Sequence, residues 1–117
     1  MQYLCLIYDD ESAWKRMSEA ESGTMFGEYA AFSKDIKTSG HFIAGEALQS
    51  VTTATTVRVR DGKTTMTDGP FAETREQLGG FYLIEAKDLD EATRIAARIP
   101  SAKIGSIEVR PIQKFDM

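Results

Sequence analysis

Between Thr67 and Gly80 the stretch TDGPFAETREQLGG places an Asp-Gly-Pro turn, three carboxylates (Asp68, Glu73 and Glu76) and a Gly-Gly pair within fourteen residues. Pro70 fixes its own φ and removes a backbone donor, so the chain leaves this turn stiffly even though Gly69 is free. A carboxylate on such an exit has two uses. Asp68 can cap the turn by accepting backbone N–H groups, as Asp does in Asx turns. Held instead at the mouth of a sheet-lined cavity, with Phe71 keeping water off, it can shuttle a proton on a small cyclic or carbonyl substrate. His41, the one histidine of the chain, is the acid–base partner to expect if it lies near, and an exposed strand-start residue if it does not.

Further polar residues could complete such a site. Glu46 in AGEAL, Glu76 after the turn and Arg110 in IEVRP are the candidates for holding a substrate, with Pro70 and Phe71 as its wall. Arg110 is suited to anchor an anion, and beside Glu108 it reads equally as half of a surface ion pair. Asp68, Glu73 and Glu76 lack the converging oxygen spacing of a hard-cation loop, so no metal is expected. Gly79-Gly80 matches neither a dinucleotide nor a Walker phosphate loop, so no cofactor is expected; a bulge or close backbone approach explains the pair better. Thr74 could cap a short helical turn with Glu76 in its first turn. Cys5, central in an apolar run, reads as an inert small hydrophobe.

These residues need elements to position them. YLCLIY, Tyr3 to Tyr8, is apolar throughout and bounded by Asp9-Asp10, the pattern of a central strand buried on both faces. ESAWKRM can form a short helical turn. Ser18 and Glu21 stand at capping-box spacing and predict a helix carrying Met25, Tyr29, Phe32 and Ile36 on one face, ended at Gly40. That stripe reads as core packing in preference to a ligand box.

HFIAGEAL, His41 to Leu48, reads as a second strand. TTVRVR, Asp61-Gly62 and KTTMT form a hairpin whose two-residue turn pairs Arg60 with Lys63 and Arg58 with Thr65. Val57, Val59, Thr64 and Met66 then share one face, and Arg58, Arg60 and Lys63 the other. FYLIEA is the next strand, Asp88 caps a helix with Ala92, Ile95, Ala96 and Ile99 inward, and SIEVRPI is the last strand.

The order is βαββαβ with an inserted hairpin, a ferredoxin-like α+β pattern in one domain spanning residues 1–117. Two helices cover only one face of such a sheet. Strands this apolar call for a second copy packed sheet to sheet, giving a two-fold homodimer with a barrel-like sandwich.

With 117 residues and 42% hydrophobic composition, the chain can build one core and no more. A formal net charge of -4 argues against nucleic-acid binding, which needs a surplus of clustered cations. A lone cysteine forms no intrachain disulfide and suits a reducing compartment. The apolar start lacks a basic leader and a small-residue cleavage site, and no run approaches the roughly 20 apolar residues that span a bilayer. A soluble cytoplasmic protein with no membrane contact is the expectation.

EYAAFSKDIKTSGHFIAGEAL, TDGPFAETREQLGGFYLIEA, DLDEATRIAARIP and IEVRPI, in this order over nearly the whole chain, resemble the DGPF branch of the YCII-related family, named for its Asp-Gly-Pro-Phe motif. The resemblance implies a ferredoxin-like dimeric α+β barrel in a small bacterial cytosolic protein. It brings no established activity. In the wider YCII-like group a His and Asp pair in a cleft is the suggested active site, which would fall to His41 and Asp68 here. Related barrels include muconolactone isomerases and small monooxygenases. Genes for extracytoplasmic-function sigma factors often accompany this branch. Two functions from different classes are therefore implied: a small-molecule site doing proton-transfer chemistry near Asp68, or a non-catalytic regulatory module linked to sigma-factor signalling.

Overall fold

The computed structural model describes residues 1–116. A four-stranded antiparallel sheet forms from β1 (Gln2–Asp9), β2 (Phe42–Ala47), β5 (Gln77–Glu85) and β6 (Ser106–Pro111), in the order β2-β5-β1-β6. The hairpin strands β3 (Thr55–Arg60) and β4 (Lys63–Asp68) make a separate two-stranded sheet. Helices α1 (Glu11–Lys15), α2 (Glu19–Thr38) and α3 (Leu89–Ala96) complete the α+β architecture, with 3-10 turns at Val51–Thr53 and Pro100–Lys103. The ferredoxin-like order with an inserted hairpin is as the sequence pattern predicts.

Local chemistry sets the helix starts. Asp10 accepts from Ser12 N at 2.9 Å to open α1. Ser18 and Glu21 form the expected capping box on α2, each side chain bonding the other's backbone N–H at 3.1 Å. Asp88 accepts from Glu91 N, and the Glu91 carboxylate accepts in turn from Lys87 N. In the hairpin, Asp61 and Gly62 both have positive φ, at 52° and 75°, the geometry of a type I′ turn. Its register is the expected one, Arg60 opposite Lys63 and Arg58 opposite Thr65.

The core lies between the sheet and α2 and α3. Tyr3, Cys5, Ile7, Tyr82 and Ile84 from the strands meet Phe32, Ile36, Ala92, Ile95, Ala96 and Ile99. β1 departs from the expected burial on both faces: burial alternates strictly along it, and Leu4, Leu6 and Tyr8 are only half-buried. They point to the face without helices, as Phe81 and Leu83 do opposite Leu6 and Leu4 on β5. Burial pushes the Cys5 thiol up to about 11, consistent with an inert core residue.

β5 begins earlier than FYLIEA, at Gln77, so Thr74 does not cap a helical turn; its Oγ1 donates to Glu76 O at 2.6 Å in an irregular bend. Gly79 falls at the register shift against Ile7 and Tyr8, and a Cβ on Gly80 would meet Glu46 O at 2.7 Å. The Gly-Gly pair thus makes a bulge and a close approach between β5 and β2. No helix among the described residues is long and apolar enough to cross a membrane.

Candidate functional site

A cavity of about 580 Å³ opens where the C-terminal ends of β1 and β2 meet α1 and α2. Its walls are mainly aromatic and aliphatic, including Trp14, Phe26, Phe42, Tyr82 and Leu48. One carboxylate in its lining is buried: Asp9, at the last position of β1, with a relative exposure of 6%. Burying a carboxylate is costly unless hydrogen bonds compensate.

Those bonds are present. Ser101 Oγ donates to Asp9 Oδ2 at 3.0 Å, and Trp14 Nε1 donates to the same oxygen at 2.9 Å. Ser101 has a single hydroxyl proton, and Asp9 takes it. The Tyr29 hydroxyl, 2.5 Å from Ser101 Oγ, must therefore be the donor in that pair. The result is a directed chain from Tyr29 O–H through Ser101 O–H to the Asp9 carboxylate. Both side-chain bonds of Asp9 land on Oδ2, so Oδ1 keeps its lone pairs for a ligand. Burial pushes the Tyr29 phenol above its ordinary range, opposed by the Ser101 hydrogen bond, so at neutral pH it is a protonated donor.

A second hydroxyl pair lines the same cavity. Ser33, one turn beyond Tyr29 on α2, lies 2.8 Å from the Tyr82 hydroxyl. Tyr82 is fixed by edge-on packing against Phe32, with ring centroids 5.1 Å apart. Lys15 and Lys37 stand at the rim, with Lys37 Nζ 4.8 Å over the Phe42 ring. Glu11 ties two walls together: its carboxylate accepts from Ser50 Oγ at 2.9 Å and Val51 N at 2.8 Å, while its own N–H donates to Gln77.

The profile of the YCII-related domain matches residues 1–116. The chain belongs to the YCII-related family. A family relative in Rhizobium meliloti (strain 1021) is 40% identical over 117 residues, spanning 98% of this chain and 94% of its own, and is uncharacterised. Among solved structures, the 5-chloro-2-hydroxyhydroquinone dehydrochlorinase of Burkholderia phenoliruptrix AC1100, in complex with 2,5-dihydroxybenzoquinone, superposes with a TM-score of 0.56. At 15% identity, over 97% of this chain and 94% of the other, that likeness is one of fold.

Of the residues singled out in the sequence, Glu46 lines the cavity of this family member. Asp68 ends β4, exposed, and Pro70 and Phe71 follow it in the open. His41 sits at the other end of the sheet, a strand length of about 20 Å away from the Asp9 end; its Nδ1 meets Ser39 Oγ at 2.6 Å and its Nε2 lies 3.3 Å from Glu91. Glu76 accepts from Ser106 Oγ at 2.8 Å. Arg110 projects from β6, at the opposite sheet edge from Glu46 on β2, so the two do not converge.

Asp9, Trp14, Tyr29 and Ser101 were not among the sequence candidates. Asp9 had a usable signal: the inward parity of Tyr3, Cys5 and Ile7 continues to position 9, putting a carboxylate on the covered face. Tyr29 had a weaker one, a hydroxyl within an otherwise apolar stripe.

Proposed function

We propose that this YCII-related protein is a homodimer that binds a compact, oxygen-bearing small molecule in the Asp9 cavity and transfers a proton on it, as an isomerase or lyase does. The observation that carries this reading is the buried Asp9 carboxylate, held by Trp14 and Ser101 through one oxygen and open at the other, inside an aromatic-walled cavity. A volume of about 580 Å³ falls in the usual range for small-ligand sites, roughly 300–1,000 Å³.

Asp9 is the base. Its Oδ1 removes a proton from the bound molecule, and the Trp14 and Ser101 hydrogen bonds hold the carboxylate in place for it. Tyr29 and the Ser33–Tyr82 pair orient oxygen substituents of the ligand, and Lys15 and Lys37 favour an anionic one at the rim. The dihydroxybenzoquinone bound by the Burkholderia dehydrochlorinase supports the choice of ligand class: a small planar ring carrying several oxygens. Homodimer formation is supported by the half-buried apolar residues Leu4, Leu6, Tyr8, Phe81 and Leu83 on the sheet face that no helix covers.

Thermal-shift measurements with 2,5-dihydroxybenzoquinone and hydroxybenzoic acids test the site. A ligand at about 100 times its Kd stabilises the native state by about 2.7 kcal/mol. The wild type is expected to respond and Asp9→Asn to respond much less. In D₂O, NMR should show exchange of a ligand proton catalysed by wild type and not by Asp9→Asn. Equal shifts and equal exchange in both proteins would overturn the reading.

A further inference from the structure

The hairpin arm is left without company by its own chain. Among the described residues, the only substantial neighbour of β3 is β4, and of β4 is β3. The molecule accordingly measures 48 × 47 × 19 Å with a radius of gyration of 16.3 Å, against about 13 Å for a compact chain of this length. One face of the arm is apolar. Val57 opposes Met66 and Val59 opposes Thr64, and these side chains stand 59% (Val57), 58% (Val59) and 74% (Met66) exposed. Phe71, just beyond the arm, is 79% exposed. The same parity puts Asp68, opposite Thr55, on this apolar face. Arg58, Arg60 and Lys63 lie on the other face or at the tip.

The chain therefore carries two uncovered surfaces, the arm and the open sheet face, which is apolar on its central strands β1 and β5 and flanked by Glu108 and Arg110 on β6 and Glu46 on β2. Four strands about 4.8 Å apart and about 20 Å long present roughly 400 Å², half of the roughly 800 Å² that each partner contributes to a stable interface. The arm adds about 200 Å² before side-chain relief is counted. A second copy supplies both complements through one kind of contact made twice, which closes on itself.

We infer that the arm Thr55–Asp68 is exchanged between two copies, each laying its Val57–Val59–Met66 face on the other. This rests on the homodimer proposed above and adds the element that clasps it. The exchange takes Asp68 and Phe71, both exposed in the single chain, into the subunit interface.

Sedimentation equilibrium on the full chain, wild type against Val57→Glu/Met66→Lys, tests the clasp. Both positions are exposed in the single chain and the opposite charges face each other across the strands, so the substitution should leave its far-UV circular dichroism unchanged. The wild type is expected to be dimeric at micromolar concentration, and the variant to dissociate at least about 100-fold more readily. A wild type that stays monomeric at about 100 µM, whether because the arm folds back on its own sheet or awaits another protein, overturns the inference together with the dimer. A dimeric wild type whose dissociation the variant does not change overturns the clasp alone. Amide exchange gives an answer independent of any variant: protection across β3 and β4 should vanish on dilution below the dimer dissociation constant, and rates that ignore dilution overturn the exchange.

Discussion

Asp9 and Ser101 are 92 residues apart in the chain and 3.0 Å apart in space, the serine hydroxyl donating to the buried carboxylate. Ser101 is itself wholly buried, so its proton and lone pairs are committed to Asp9 and Tyr29. Ser101→Ala would leave two buried oxygens short of a partner. The expected cost is about 1–3 kcal/mol of stability, read from urea denaturation, and a larger loss of turnover than Tyr29→Phe causes. A Ser101→Ala protein as stable as wild type would mean that the chain of hydroxyls carries no energy.

Asp9→Asn keeps the shape and an oxygen that can accept from Trp14 and Ser101, but not the basicity. Stability should fall by about 1 kcal/mol, while proton transfer should drop by about 10²-fold or more. The split between a small stability change and a large activity change is the signature to look for, since a purely structural carboxylate would show the reverse.

Gly79 offers a way to crowd the site without touching its chemistry. A Cβ there would lie 3.7 Å from Asp9 Oδ1, ordinary contact, and its φ is outside the left-handed region. Gly79→Ala should fold normally and bind ligand nearly as well. Gly79→Val projects further toward Oδ1 and should raise the ligand Kd by about tenfold or more in calorimetric titration.

Acid should loosen all three helix starts together. The hydrogen bonds to Ser12, to Ser18 and to Lys87 hold Asp10, Glu21 and Glu91 below the ordinary carboxylate range. A depressed folded-state value contributes stability above the unfolded value, and that contribution is lost as pH falls through the folded one. The denaturation midpoint should therefore decline below about pH 4, and Glu21→Gln should flatten the part that belongs to Glu21.

Alkali acts through Cys5. Its thiol is raised from 9.0 to about 11, so the associated stability is complete below 9.0 and falls as pH rises toward about 11. Cys5→Ala should remove that share of the alkaline decline, leaving the share that Tyr29 contributes with the same sign. In the native protein at neutral pH the thiol should resist Ellman's reagent until the chain unfolds.

The arm and the helix starts were legible because their causes are local. A two-residue Asp61-Gly62 turn fixes which strand residues face each other, and Ser18 reaches Glu21 within one turn of backbone. The core helix faces were legible for the same reason, a short period repeated along one element. Asp68 drew attention on similar local grounds, a carboxylate on a stiff turn, yet nothing local says what the turn will stand beside.

The sequence by itself determined the order of elements, the caps of the two longer helices, the hairpin register and the apolar helix faces, since each depends on neighbours within a few residues. Only the tertiary structure decided the site. Asp9 ends a strand, Trp14 belongs to a five-residue helix, Tyr29 to a long one and Ser101 to a 3-10 turn, and no spacing in the chain encodes their convergence. They meet because the sheet and α2 must close over the core, and a carboxylate drawn onto that covered face is held there only where distant donors arrive to pay its desolvation.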